Sequence, residues 1–365
     1  MTQSVQSSES GFGSAPTRVL VVGDPYLPAT VFERALSRLE GPVRTTSIQI
    51  ERIDPEPART PAEECLREYA GDPQVVVDAL PGHEVLVVHG APVSEQALSV
   101  PGLRLVCCAR GGPVNVDVGA ATARGIPVVG TPGKNARAVA ELTVAFTLLL
   151  LRRVPKSARH LLDGAPLGLS AFEGRAFFGH EAAGATLGLV GLGHVGRTVV
   201  PAAVALGLRV LAYDPFAATP PPPGCRQVSL AELVAESDVV SVHARATPDN
   251  RHLIDAELLA AMRPGAALVN TARESLVDER ALLAALESGH LSGAALDVFE
   301  PAPPGRPHPL LARPDVLLTP HIGGATFQTL ERGADMIAAA IEAYAAGSTL
   351  PDVVNADALR ARVGA

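Results

Sequence analysis

The stretch Thr186-Leu187-Gly188-Leu189-Val190-Gly191-Leu192-Gly193-His194-Val195-Gly196 decides the fold of this chain. Residues 186–190 form an apolar run of strand length, three glycines follow without a gap, and residues 197–206 read as an Ala/Val-rich helix. Strand, turn and helix thus stand in the order a dinucleotide-binding unit requires. Gly191 permits the tight turn, Gly193 lets the backbone approach a pyrophosphate, and Gly196 lets the helix pack closely on the strand, so that phosphates meet helix N-terminal amides. Asp214 closes the next apolar run, residues 208–213, and lies 18 residues beyond Gly196. A carboxylate there accepts hydrogen bonds from an adenosine ribose and repels a 2′-phosphate, which favours NAD over NADP. Arg209 and Arg245 leave some tolerance of NADP open.

On both sides of the fingerprint, short β-like runs alternate with helical patterns. The N-terminal series is 19–22, 75–77, 84–88, 103–107 and 127–129; the second is 187–190, 209–213, 238–243, 267–270, 294–297 and 316–319. Such alternation predicts parallel sheets with helices on both faces, and six strands complete a dinucleotide fold. The expected class is therefore α/β, with two doubly wound parallel-sheet domains: a flavodoxin-like substrate domain and a Rossmann NAD-binding domain, with a cleft between them. Residues 1–17 are expected to be a disordered tail, 18–133 and 325–365 a discontinuous substrate-binding domain, and 134–324 the NAD-binding domain. Helices at 138–154 and 327–347 would be the two crossings. Ligands bind at the carboxyl ends of such sheets, and hinge closure follows.

At 365 residues with 47% hydrophobic and 19% charged content, the chain has the composition of a soluble two-domain protein. A net charge of −8 and the absence of a Lys/Arg cluster exclude an electrostatic footprint for nucleic acid or an anionic membrane. Cys65, Cys107, Cys108 and Cys225 lack metal-ligand spacing, so no metal is expected and the thiols read as reduced. The first 17 residues have neither a basic start nor an apolar core, and the apolar stretch 138–151 contains Glu141 and is too short to span a bilayer. These readings point to the cytoplasm. The proline run Pro220 to Pro223 reads as a stiff surface loop without a function.

Three later segments place polar groups at strand ends: Asn270-Thr271-Ala272-Arg273, Ala295-Leu296-Asp297-Val298-Phe299 and Thr319-Pro320-His321-Ile322-Gly323-Gly324. A buried strand that ends in a polar group costs stability unless a ligand or partner satisfies it. With these segments, with Ala138-Val139-Ala140-Glu141-Leu142, Val277-Asp278-Glu279 and Val353-Val354-Asn355, and with the fingerprint itself, the chain resembles the D-isomer-specific 2-hydroxyacid dehydrogenases, from about Arg18 to Asn355. The resemblance implies that Arg273 holds the substrate's carboxylate and carbonyl oxygen and that His321 is the acid/base. It implies that Asp297 faces the nicotinamide carboxamide and that His194, Val195, Ala244, Thr271 and Ala272 line the cofactor, with Gly191, Gly193, Gly196, Asp214, Arg273, His321, Gly323 and Gly324 completing that site. It also implies that Arg110, Gly111 and Gly112 form the loop whose amides hold the substrate carboxylate. The chemistry agrees, since a guanidinium binds a carboxylate bidentately and an imidazole exchanges protons near neutral pH. On the residues alone, Asp297 has a second reading, that of holding backbone amides.

Two departures from the family pattern stand out. Five residues after Asp297, where the family carries a glutamate that orients the histidine and stabilises its imidazolium, stands Ala302; Glu300 and Glu274 are the two neighbours that could compensate. Where phosphoglycerate dehydrogenases carry an arginine for the phosphate stands His89, which makes a phosphorylated substrate less expected. The chain ends soon after Asn355, so no regulatory domain is expected beyond it. The leading expectation is an NAD-dependent oxidoreductase acting on a small 2-keto or 2-hydroxy acid, a homodimer through the apolar helix 138–154. The second is an NAD(H)-binding regulator, motivated by Ala302. Which acid is used depends on loops near His89, Arg110 and residues 167–180.

Overall fold

The computed structural model describes residues 16–51, 65–164, 173–302 and 307–363. Residues 1–15 of the expected tail, residues 167–172 of the expected substrate-selecting loop, and Pro303 after Ala302 lie outside the described residues. The chain divides into two compact units: one reaches Lys134 and resumes at Leu330, and the other is Asn135–Thr329. Among the described residues no helix is long and apolar enough to cross a membrane.

The first unit runs β1 (Thr17–Gly23), α1 (Ala29–Leu36), β2 (Val43–Gln49), α2 (Pro73–Ala79), β3 (Val85–Val88), α3 (Glu95–Leu98), β4 (Leu105–Cys108), α4 (Val118–Ala123) and β5 (Val128–Val129). Its five strands are all parallel in the order β2-β1-β3-β4-β5, the flavodoxin-like order. Because side chains alternate across a strand, Val19, Val21, Val85, Val87 and Leu105 pack on one face while Leu20, Val22, Leu86, Val88 and Val106 pack on the other. Strands buried on both faces read as unbroken apolar runs, which is why β1, β3 and β4 are visible in the sequence.

Two expectations here are corrected. Residues 75–77 are helical: Asp72 accepts a hydrogen bond from the amide of Gln74 and Pro73 takes the first turn, so a helix start overrides three β-branched valines. The strand β2 was absent from the expected series, since most of its side chains lie at the surface on an edge and it shows no apolar alternation. In addition, β1 begins at Thr17, inside the expected tail.

The second unit runs α5 (Ala136–Leu151), α6 (Val154–Leu162), β6 (Thr186–Val190), α7 (His194–Ala205), β7 (Arg209–Tyr213), β8 (Cys225–Gln227), α8 (Leu230–Glu236), β9 (Val239–Val242), α9 (Ala256–Ala261), β10 (Ala267–Asn270), α10 (Glu279–Glu287), β11 (Gly293–Leu296) and β12 (Val316–Leu318). Its seven parallel strands lie in the order β12-β11-β10-β9-β6-β7-β8, a doubly wound sheet with β6 at the point where the order reverses. The short edge strand β8 adds to the six expected. Leu187, Leu189, Val210 and Val269 pack under α5 and α7, and Val190, Leu211, Val240 and Leu268 pack under α8, α9 and α10. The helix expected over 138–154 ends at Leu151; Arg153 takes a left-handed conformation (φ 53°) before α6, whose first turn contains Pro155.

After β12, α11 (Phe327–Ala345) and α12 (Ala356–Val363) bring the chain back to the first unit. Asn355 makes that return specific: its Oδ1 accepts from the amide of Val128, and its Nδ2 donates to the carbonyl of Ile126 and to Thr122.

Candidate functional site

In the second unit the expected residues line one edge of the sheet. Reading across the carboxyl ends from β12 to β7 come His321, Asp297, Thr271 to Arg273, Ala244, Gly191 and Asp214. The glycine turn has the shape its sequence demands. Gly191 sits at φ 106°, and a Cβ there would stand 2.6 Å from the amide nitrogen of Ala244. A Cβ at Gly196 would stand 2.3 Å from the carbonyl of Gly191. At Gly193, by contrast, nothing lies within 4 Å, and this residue is the N-cap of α7 with no side chain capping its first amides. Backbone donors that open onto free space are what a pyrophosphate needs, so the chain fits a dinucleotide. Asp214 Oδ2 accepts from the amide of Leu192 at 2.8 Å, which ties this carboxylate to the same turn. Arg209 sits at the opposite end of β7, where it donates to Thr186 Oγ1 at 2.6 Å, so it cannot reach a phosphate beside Asp214; of the two arginines considered, only Arg245 remains.

Two buried side chains at the ends of β10 and β11 commit their hydrogen bonds to loops. Asn270 Oδ1 accepts from the amide of Ala272 and its Nδ2 donates to the carbonyl of Arg273, closing the turn that presents the guanidinium. Asp297 Oδ1 accepts from Thr319 Oγ1 (2.5 Å) and the amide of Ile322 (2.8 Å), and its Oδ2 accepts from the amide of Gly323 (2.7 Å). The amide of His321 donates to the carbonyl of Asp297. Asp297 is 1% exposed, and these bonds favour its loop-holding reading over direct contact with a carboxamide. His321 lies between its clamped neighbours at φ 55°, a left-handed conformation that costs a non-glycine residue about 1 kcal/mol and persists only where the surroundings impose it.

Arg273 and His321 are themselves exposed. The guanidinium donates to the carbonyl of Ala272, and among the described residues neither side chain has a carboxylate partner. Neither neighbour expected to replace the glutamate does so. Glu300 pairs with Arg251 at 3.4 Å, its amide donates to Glu279, and neither it nor Glu274 is hydrogen-bonded to His321 among the described residues. His308 is anchored instead, its Nε2 donating to Glu279 Oε2 at 3.1 Å.

In the first unit, Arg110 closes β4, but its guanidinium is already occupied. It donates to the carbonyl of His89 (3.0 Å), the carboxylate of Glu68 (3.1 Å) and the carbonyl of Glu68 (2.7 Å). The open donors are the amides of the exposed Gly111 and Gly112, and the expectation for Arg110 shifts from ligand to support of that loop. His89 is buried and backed by Asp24: Nδ1 donates to Asp24 Oδ2 at 3.0 Å, while Tyr26 stacks on the ring at 4.9 Å. Burial pushes the His89 pKa down against the pull of Asp24, and Lys134 and Arg110 push it further. Asp24, Thr131 and Lys134 escaped the sequence reading. One signal was available for Lys134, since only 2 of the 30 Lys and Arg residues are lysine.

The family model for the NAD binding domain of D-isomer specific 2-hydroxyacid dehydrogenases matches residues 144–323. A D-3-phosphoglycerate dehydrogenase of Mycobacterium leprae is 38% identical over 283 residues, covering 76% of this chain and 52% of the relative, so the chain spans about half the length of that protein. A glyoxylate reductase of Korarchaeum cryptofilum is 36% identical over 266 residues, 72% of this chain and 80% of the relative. The crystal structure of the TT0316 protein from Thermus thermophilus superposes with a TM-score of 0.72 at 36% identity, covering 93% of this chain and 100% of that one.

Proposed function

The chain belongs to the D-isomer-specific 2-hydroxyacid dehydrogenase family, and from that premise we propose that it moves hydride between a nicotinamide dinucleotide and C2 of a small D-2-hydroxy acid or its 2-keto acid. The nicotinamide, when bound, supplies or accepts the hydride. Arg273 binds the substrate's carboxylate and carbonyl oxygen, polarising the carbonyl; His321 delivers a proton to that oxygen in reduction and removes it in oxidation. The amides of Gly111 and Gly112 hold the carboxylate, with Arg110 bracing their loop. Gly191, Gly193, His194, Val195, Gly196, Asp214, Ala244, Thr271, Ala272, Gly323 and Gly324 form the cofactor's bed, and Asp297 contributes through the loop it clamps. Asp214 favours NAD. The observation that carries the reading is that Arg273 and His321 are both exposed and are presented by two hydrogen-bonded buried residues beside an open glycine turn.

Purified protein should oxidise NADH, in preference to NADPH, with at least one 2-keto acid, and Arg273→Ala should abolish turnover. Turnover that stays within about tenfold of the native rate after this substitution would overturn the assignment. A homodimer in the cytoplasm is part of this proposal, with the largely apolar α5 as its contact helix; sedimentation of a species of single-chain mass would refute the dimer. One observation favours a second reading, an NAD(H)-binding regulator: no carboxylate partners His321 among the described residues. Tight NADH binding without turnover of any 2-keto acid, in both the native chain and Ala302→Glu, would favour it.

A further inference from the structure

The first unit encloses an ammonium that finds no hydrogen-bond acceptor among the described residues. Lys134 is 8% exposed, and its Nζ is fully enclosed without a hydrogen-bond partner among the described residues; Thr131 Oγ1, one turn away, is in the same condition. The nearby charges are already spoken for. Asp24 accepts from His89, Gly90, Tyr26 and Leu27, and Arg110 is paired with Glu68. Cys108, the thiol within electrostatic reach of Lys134, donates to Asn115, and burial pushes its pKa up to about 11, so it supplies no anion near neutral pH. Asp24 attracts Lys134 through space, but an enclosed ammonium with no acceptor for its N–H groups is costly even so, and an anionic ligand that meets them recovers that cost. The fold also makes room for this side chain, because Gly333 of α11 lies against it: a Cβ there would stand 3.1 Å from Lys134 Cδ and 3.5 Å from Nζ.

These groups converge on the ligand-binding edge of a parallel sheet, the carboxyl ends of β1, β3, β4 and β5. His89 has Nδ1 committed to Asp24, so its other ring nitrogen is the one left for a ligand. We propose that Lys134 and Thr131, with His89 within electrostatic reach of the lysine, form a subsite in the first unit for one carboxylate, and that the substrate is a 2-keto acid bearing a second carboxylate remote from the reacting carbon. This rests on the dehydrogenase reading above for the chemistry, but not for the binding. One carboxylate supplies the acceptor that the ammonium and the Thr131 hydroxyl lack, whereas a phosphate dianion would add a second negative charge beside Asp24. A lysine suits this place better than an arginine, because its flexible stem can swing to meet the ligand and it tolerates burial while the subsite is empty. Burial pushes its pKa down to about 8, the direction expected of an ammonium without a partner.

The test uses the full chain with NADH and compares pyruvate and glyoxylate with oxaloacetate and 2-oxoglutarate. Alongside, D-malate and D-2-hydroxyglutarate are titrated calorimetrically onto the protein in saturating NAD. A diacid should be preferred, and Lys134→Met should lower kcat/KM for it about 10- to 100-fold, the range of a charge-assisted hydrogen bond, while changing the monoacids less than about threefold. Thr131→Val should lower the diacid alone by about fivefold, a neutral hydrogen bond, and serves if the lysine variant fails to fold. Lys134→Met should also raise Tm, which a merely structural lysine would not do, and diacid binding should weaken as pH rises through about 8. Equal losses for monoacids and diacids, or no preference for a diacid, would overturn the subsite and leave the dehydrogenase standing. Absence of all turnover, with diacid binding that is lost in Lys134→Met, would overturn the dehydrogenase and leave the subsite; failure to bind either diacid would overturn the subsite outright.

Discussion

The carboxyl ends of the two sheets handle buried polar groups in opposite ways. In the second unit, Asn270 and Asp297 are saturated by backbone amides, carbonyls and one hydroxyl, and the groups left free, Arg273 and His321, stand in solvent. In the first unit, Asp24 and Arg110 are hydrogen-bonded, but the Lys134 Nζ and Thr131 Oγ1 atoms are enclosed without a hydrogen-bond partner among the described residues. Saturated buried groups hold loops in place and cost little, whereas unsatisfied ones cost stability that is recovered only on binding. The second edge therefore presents chemistry on a stiff frame, and the first keeps a place for a charge the chain does not supply.

If that contrast is right, the free groups of the second edge should matter for turnover and not for stability. Arg273→Ala should cost about a thousandfold or more in kcat/KM, as expected for truncating a hydrogen-bonded charge pair, with Tm unchanged; steady-state kinetics beside a melt would check both halves. The saturated groups should behave in the reverse sense. Asp297→Ala strands a hydroxyl and two amides, so unfolding in urea should show a loss of about 3 kcal/mol, and a loss under about 1 kcal/mol would break the contrast.

A third measurement concerns the histidines. His89 has a carboxylate behind it; His243, at the end of β9, has only Ser241 Oγ at 2.9 Å, and burial pushes its pKa down to about 4. Its folded pKa lies below the unfolded value of 6.5, so the unfolded chain takes up the proton first. Stability from this residue is whole above pH 6.5 and drains as pH falls towards 4, by up to about 1.4 kcal/mol per pH unit, and His243→Asn should flatten that slope. The smallest effect expected is at His321. Ala302→Glu should raise the rate of alcohol oxidation by about tenfold, the worth of one charge-assisted hydrogen bond, and an unchanged rate would mean that the clamp of Asp297 alone positions His321.

Legibility followed the range of the interactions. The glycine turn, its strand and its helix could be read directly, because a left-handed Gly191 and a Gly196 pressed against a carbonyl are demands of neighbouring residues. The buried central strands could be read because both their faces are apolar. Edge strands β2 and β8 could not, since half-exposed strands carry no such pattern, and the valines at 75–77 misled because Asp72 and Pro73 start a helix there. Ala302 was legible as a departure, but not its outcome, which turned on Glu300 meeting Arg251.

Two parallel sheets, a dinucleotide turn and the residue types for hydride and proton transfer were determined by the sequence alone, because each depends on residues close together in the chain. Which polar groups ended satisfied and which ended enclosed without a partner was decided only in three dimensions. Lys134 lies against a helix some 200 residues further along the chain, and no local pattern can report that its ammonium meets no acceptor among the described residues.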